Sequence, residues 1–382
     1  MINHPFLCFV PILLIIAQSA EGCYTSIFAF GDSLTDNGNL LALSAPRIIH
    51  QGRLPNGETY FHHPTGRCCD GRLIVDFLAQ QFGLPIPPPY TEVSKERTMD
   101  VRAGVNFAVA GARALDTDFY DKIGIIDPVT NDTLRVQLDW FKHMLPSICG
   151  PEKDCGGQLK SSLVLLGPFG GNDYRYALFQ GASLAERKLL AHLITDAAVS
   201  AVNELVELGV GAVMVPGLVP DGCLAVSLTY FGSPNTGNYD LSTGCINWLN
   251  EFAEYHNELL QTKLNMARKR HPTAAIIYAD YYNAILQLYR NPEEYGFRRT
   301  TAACCGDGGP YNYNKEVQCG DPPTTVCPDP SVYINWDGPH FTEAANRWIT
   351  SALLRGPGRY TLPHLDTSCI SEAASARHFT DA

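Results

Sequence analysis

From residue 26 to residue 354, short apolar runs rich in strand-forming residues alternate with longer stretches of helical period, and nothing else in the chain limits its fold as strongly. Residues 26–30, 105–109, 163–166, 212–215 and 275–278 read as strands. Helical spacing covers 73–82, 134–145, 184–208, 246–269 and 342–354. Strands apolar on both faces need helices on both sides, so the order predicts an α/β fold around a central parallel sheet. The sequence shows no internal repeat, low-complexity linker or break in composition, which predicts one domain over 23–355 between a leader at 1–22 and a tail at 356–382. Two long connections, 46–71 and 291–339, have no period and are rich in Gly, Pro, Tyr and Cys. Loops of that length inside compact domains are usually functional, and these are expected to wall a binding cleft.

Composition excludes some classes. A hydrophobic share of 45% with 18% charged residues lies outside the disordered regime. The 28 Lys and Arg against 39 Asp and Glu give a net charge of −11, and no basic run exists to neutralise phosphates, so nucleic acid is not an expected partner. Residues 6–17 are apolar and lead into Ala17-Gln18-Ser19 and Ala20-Glu21-Gly22, each a small-x-small cleavage pattern. They read as a secretory signal peptide, and no other run is long enough to predict a transmembrane helix. Removing the leader takes Cys8 with it and leaves twelve cysteines, an even number expected to pair in an oxidising compartment. Cys149/Cys155 and Cys319/Cys327 are the locally spaced candidates. Asn131-Asp132-Thr133 is the one N-glycosylation acceptor.

Ligands of an open parallel sheet bind beyond the carboxyl ends of its strands, so the segments that follow the strands share one edge. After the first strand comes Gly31-Asp32-Ser33-Leu34-Thr35-Asp36-Asn37-Gly38, after the second Gly111, and after the third Gly170-Gly171-Asn172-Asp173. Asp337-Gly338-Pro339-His340 precedes the last helix. Ser33 in a strand-to-helix turn exposes a hydroxyl and offers its N–H at a positive helix end, with Gly111 and the Asn172 amide as further donors for an oxyanion. His340 can take the Ser33 proton and Asp337 can hold the imidazole tautomer. Asp32, Asp36 and Asp173 are expected to brace backbone instead. His62, His63, Cys68, Cys69 and Asp70 cluster in sequence, but their spacing matches no zinc pattern, so disulfides are expected there and no metal or other cofactor.

In their order these blocks resemble the GDSL (SGNH) esterase/lipase family, from about residue 26 to 354. Pro64-Thr65-Gly66-Arg67, the segment 278–282 and Gly309-Pro310-Tyr311-Asn312-Tyr313 are similar to its plant branch. The resemblance implies a three-layer α/β/α flavodoxin-like fold, Ser33 as nucleophile, His340 and Asp337 as base and orienter, and Ser33, Gly111 and Asn172 as the oxyanion hole. It further implies a secreted ester hydrolase, in the cell wall, apoplast or vacuole, acting on a lipid, an acetylated glycan or a phenylpropanoid or other specialised-metabolite ester. Two other readings stay open at this stage: an acyltransferase using the same acyl-enzyme with an alcohol acceptor, and a non-catalytic ester- or glycan-binding protein. Oligomeric state is not fixed by the sequence.

Overall fold

A computed structural model describes residues 23–370 apart from 48, 97, 125–128, 151–154, 357–359 and 369. The leader expected at 1–22 and residues 371–382 of the expected tail lie outside the described residues. Five strands run parallel: β1 (Ser26–Phe30), β2 (Gly104–Asn106), β3 (Ser162–Leu166), β4 (Ala212–Pro216) and β5 (Ala275–Ala279). Their spatial order is 2-1-3-4-5, the flavodoxin order, and Thr361–Leu362 adds a short antiparallel edge on β5. All residues of β1 to β4 are buried, as unbroken apolar runs require when helices cover both faces.

The helices form two groups. Ile74–Gln81, Tyr281–Arg290 and Glu343–Arg355 pack together, while Leu134–Cys149, Leu184–Glu207 and Asn247–Arg270 make the other group. Leu184–Glu207 is long and apolar enough to cross a membrane by length alone. Leu190, Ile194, Ala198, Ala201, Val202 and Leu205 give it a buried face at helical spacing, directed at the rest of the fold. Ser183 and Glu186 close its start as a reciprocal capping box.

Strand β2 stops three residues before its expected end. The Asn106 side-chain carbonyl accepts from the Ala108 N–H at 2.9 Å, so the residues beyond are irregular even though the Phe107 and Val109 N–H groups still donate to the Ala29 and Gly31 carbonyls. The segment 278–282 divides between two elements: Tyr278 and Ala279 belong to β5, and Asp280 caps the next helix by accepting from the Asn283 N–H at 3.0 Å. Tyr281 and Tyr282 are buried in that helix.

The long connection 291–339 is ordered by two strand pairs, Arg299–Ala303 with Tyr333–Asn335 and Cys305–Gly306 with Thr325–Val326. Disulfides Cys304–Cys327 and Cys305–Cys319 cross it, so the expected Cys319–Cys327 pair is not formed. The cause lies in the backbone, because the Cys327 N–H donates to the Cys304 carbonyl and fixes those two cysteines side by side. Cys149–Cys155 is present as expected, Cys223–Cys245 joins it, and Cys23 is disulfide-bonded as well. Cys68 and Cys69 depart from the expectation of full pairing and are buried free thiols.

The first connection is therefore held by charge. Arg67 makes a two-pronged ion pair with Asp76 at 2.8 Å per bond, and Arg72 meets Glu343 at 2.7 Å, all four side chains buried. Glu343 also accepts from the Arg72 N–H, its own N–H donates to Asp70, and Trp336 Nε1 donates to Asn56. The Glu343 bonds tie the loop to the last helix, and the Trp336 bond ties it to the second long connection.

Candidate active site

Gly31 ends β1 with φ +153, and a Cβ there would lie 2.8 Å from the Gly167 carbonyl. Only glycine lets the ends of β1 and β3 come this close. Gln137, fully buried, clamps the same peptide by accepting from the Gly31 N–H and donating to its carbonyl, each at 2.9 Å. The chain then turns: Thr35 and Asp36 N–H both donate to the Asp32 carbonyl, and Asp32 Oδ1 accepts from the Leu34 N–H at 3.0 Å. Asp36 accepts from the N–H groups of Gly38, Asn39, Leu40 and Ala110, between 2.7 and 3.0 Å. Ser33 sits at the crest of this turn. The first helix, Asn39–Leu43, starts six residues later, so the Ser33 N–H is not at a helix end as the sequence suggested.

His340 comes from a turn between the strand Tyr333–Asn335 and the helix Glu343–Arg355. The Trp336 N–H donates to the His340 carbonyl, and the His340 N–H donates to Asp337. Its Nδ1 lies 2.8 Å from both Asp337 carboxylate oxygens, and its Nε2 lies 2.8 Å from Ser33 Oγ. Two side chains 307 positions apart in sequence thus meet at hydrogen-bond distance. Burial works against charge on the His340 ring, but the Asp337 carboxylate outweighs it and Cys68 adds to the effect, holding its pKa well above the usual value.

Gly111 has φ +84, which favours glycine, and a Cβ there would run into Val129. Asn172 opens the helix Gly171–Phe179 after β3; its Nδ2 donates to the Ala112 carbonyl at 3.0 Å and reaches Asp32 Oδ2 at 3.4 Å. Burial pushes the Asp32 carboxyl up to about 6, opposed by the Leu34 N–H, His340 and Arg175. Asp173 accepts from the Ala114 N–H and from Tyr120 Oη and braces the segment behind Gly111.

Both long connections wall the cleft that contains Ser33 and His340. Residues 46–71 supply His50, Gln51 and Cys68, and 291–339 supply Tyr313, Lys315 and Gln318 among others. Cys68, expected in a disulfide, is instead a free thiol beside His340. Burial raises its pKa, yet His340 and His50 more than offset this and lower it. Arg175, paired with Asp221 at 2.6 Å, is a further wall residue that no motif announced. His62 and His63 turn to the carbonyls of Glu58 and Phe61, and among the described residues no three His, Cys, Asp or Glu gather around a point that could hold a metal ion.

A family profile described as GDSL-like Lipase/Acylhydrolase matches residues 27–353 of this chain. The chain belongs to that family. This GDSL hydrolase acts on carboxylic esters and has the family's α/β architecture around a mostly parallel sheet. A GDSL esterase/lipase of Arabidopsis thaliana is 46% identical over 366 residues, covering 95% of this chain and 92% of the relative. A second from the same plant is 47% identical over 350 residues, 91% of this chain and 88% of its own. A sinapine esterase of Brassica napus is 45% identical over 374 residues, 97% and 95% respectively.

Proposed function

We propose that the protein is a secreted esterase working through an acyl-enzyme on Ser33. The observation that carries this reading is the unbroken hydrogen-bond run from Asp337 through His340 to Ser33 Oγ, each step at 2.8 Å. Ser33 Oγ bonds to the ester carbonyl carbon while its proton passes to His340 Nε2. The resulting oxyanion is held by the N–H groups of Ser33 and Gly111 and by Asn172 Nδ2, which exchanges its long Asp32 contact for the substrate oxygen. The bond to the alcohol oxygen then breaks, and the alcohol leaves with the proton from His340. Water repeats the sequence: it bonds to the acyl carbon, gives a proton to His340, and Ser33 departs with that proton as the carboxylic acid is released. Asp337 keeps the ring's Nδ1–H in place throughout and balances the imidazolium.

The leader at 1–22, the exposed acceptor Asn131 and the disulfides support passage through the secretory route to the cell wall or vacuole. The substrate class is a plant ester: a lipid, an acetylated glycan or a specialised-metabolite ester. Ser33→Ala should lower kcat by about 10⁴-fold or more on a p-nitrophenyl ester. A well-folded Ser33→Ala protein that retains its activity would refute the mechanism.

A further inference from the structure

Two cavities meet at Ser33, and they differ in size and chemistry. The smaller has a volume of about 60 Å³ and is lined mainly by apolar side chains, including Leu178, Leu218, Leu224, Leu249 and Phe252. The larger, about 290 Å³, holds His340, His50 and Cys68 on one side and Tyr176, Tyr230 and Tyr313 on the other. Ser33, Asn172, Arg175 and Pro339 form the wall common to both. His340 borders only the larger.

We infer that the small cavity holds the acyl group and the large one the alcohol, which makes the substrate a short-chain ester of a ring-bearing alcohol. This rests on Ser33 and His340 acting as proposed above. Three substituents surround the carbonyl carbon during attack. The oxygen points to the donors Gly111 and Asn172. The alcohol oxygen must face His340, because that ring delivers its proton, so the alcohol extends into the cavity His340 borders. One direction remains for the acyl chain, the apolar cavity on the far side of the shared wall.

Size then sets the chain. On the same measure the acyl cavity, at about 60 Å³, has roughly a fifth of the space of the alcohol cavity, at about 290 Å³. The acyl group is therefore the smaller part of the substrate, and the apolar lining of Leu178, Leu218, Leu224, Leu249 and Phe252 suits a short aliphatic chain. The alcohol cavity is wider and opens past Phe179 and Tyr230, whose ring centroids lie 4.4 Å apart at a 34° tilt and which remain 40% and 39% exposed. Exposed aromatic rings beside polar Gln318 and Lys315 suit the flat faces and hydroxyls of a ring-bearing alcohol.

The test compares kcat/KM on p-nitrophenyl butyrate and octanoate for the full chain, with fluorophosphonate labelling of Ser33 measured in parallel. The wild type should favour butyrate by at least about tenfold, and Leu249→Ala, which lengthens the small cavity, should raise the octanoate-to-butyrate ratio about tenfold. Leu178→Ala gives the same readout should Leu249→Ala fail to fold. Tyr230→Ala should leave that ratio unchanged and raise KM for an acetylated xylan oligomer. A wild type that labels at Ser33 but prefers octanoate overturns the assignment, as does an unchanged ratio in labelled Leu249→Ala and Leu178→Ala. Absence of Ser33 labelling in the wild type would instead overturn the acyl-enzyme mechanism on which the inference rests.

Discussion

Glu343→Ala should be among the most damaging substitutions outside the catalytic cleft. Its carboxylate accepts from Arg72 Nη2 at 2.7 Å, from the Arg72 N–H at 2.8 Å and from Arg347 at 3.1 Å, in a site where the Arg72 and Glu343 side chains are 5% and 7% exposed. Truncation leaves a buried guanidinium without its counter-charge, which costs about 3–5 kcal/mol. Unfolding entropy near 2.1 cal/mol/K per residue, over roughly 350 ordered residues, gives about 0.7 kcal/mol/K, so Tm should fall by about 4–7 °C. Differential scanning calorimetry at one fixed scan rate would measure this, since a disulfide-bonded chain of this size can unfold irreversibly. Two controls sharpen it. Removing the solvent-exposed Arg102–Asp100 pair should move Tm by no more than about one degree. Replacing the buried pair with Arg72→Met and Glu343→Leu together should recover much of the loss, because no charge is then stranded. A Tm for Glu343→Ala within one degree of the parent would refute the view that charge holds the first cleft wall.

Two more outcomes concern the cleft. Because His340 is held above its usual pKa and must be neutral to accept the Ser33 proton, the acidic limb of kcat/KM should lie above pH 6.5, and Asp337→Asn should move it down while cutting kcat. The folded-state pKa is raised, so the imidazolium also adds stability that is full below the unfolded value and lost as pH rises through the raised one. A pH profile of an uncharged ester with its limb at or below 6.5 would contradict the Asp337 effect. Gly111→Ala should lower kcat by about 10²–10³-fold, since φ +84 and the Val129 side chain leave no room for a Cβ and the donor must shift; steady-state rates equal to wild type would rule the Gly111 N–H out.

Much of the sheet was legible because the five apolar runs had no other way to be buried, and 26–30 falls on β1 without error. The end of β2 was not, because Asn106 competes for the backbone with its side chain, an effect invisible to hydrophobic period. The site's motif residues were readable as a group from their places after successive strands. Their support was not: Gln137 on Gly31 and Arg175 beside Asn172 lie inside helices whose spacing says nothing of contacts across the sheet edge. Cysteine pairing failed for two reasons. Sequence proximity favoured Cys319 with Cys327, whereas strand pairing set Cys304 against Cys327, and counting could not reveal that Cys68 and Cys69 face different surroundings. Cys68 borders the cleft, while Cys69 contacts Asp70, Arg72 and Asn346 beneath it.

The 307 positions between Ser33 and His340 also separate them in time. A ribosome adding about 5–20 residues per second makes Ser33 some 15 to 60 s before His340 exists. During that interval no fragment of the chain carries the Asp337–His340–Ser33 hydrogen-bond run, however well its first strands have paired. Under the proposed mechanism, ester cleavage waits until His340 and the last helix, joined to the first loop through Arg72 and Glu343, are in place. On that mechanism catalytic competence is one of the final events in making this protein, and activity reports on the integrity of nearly the whole fold.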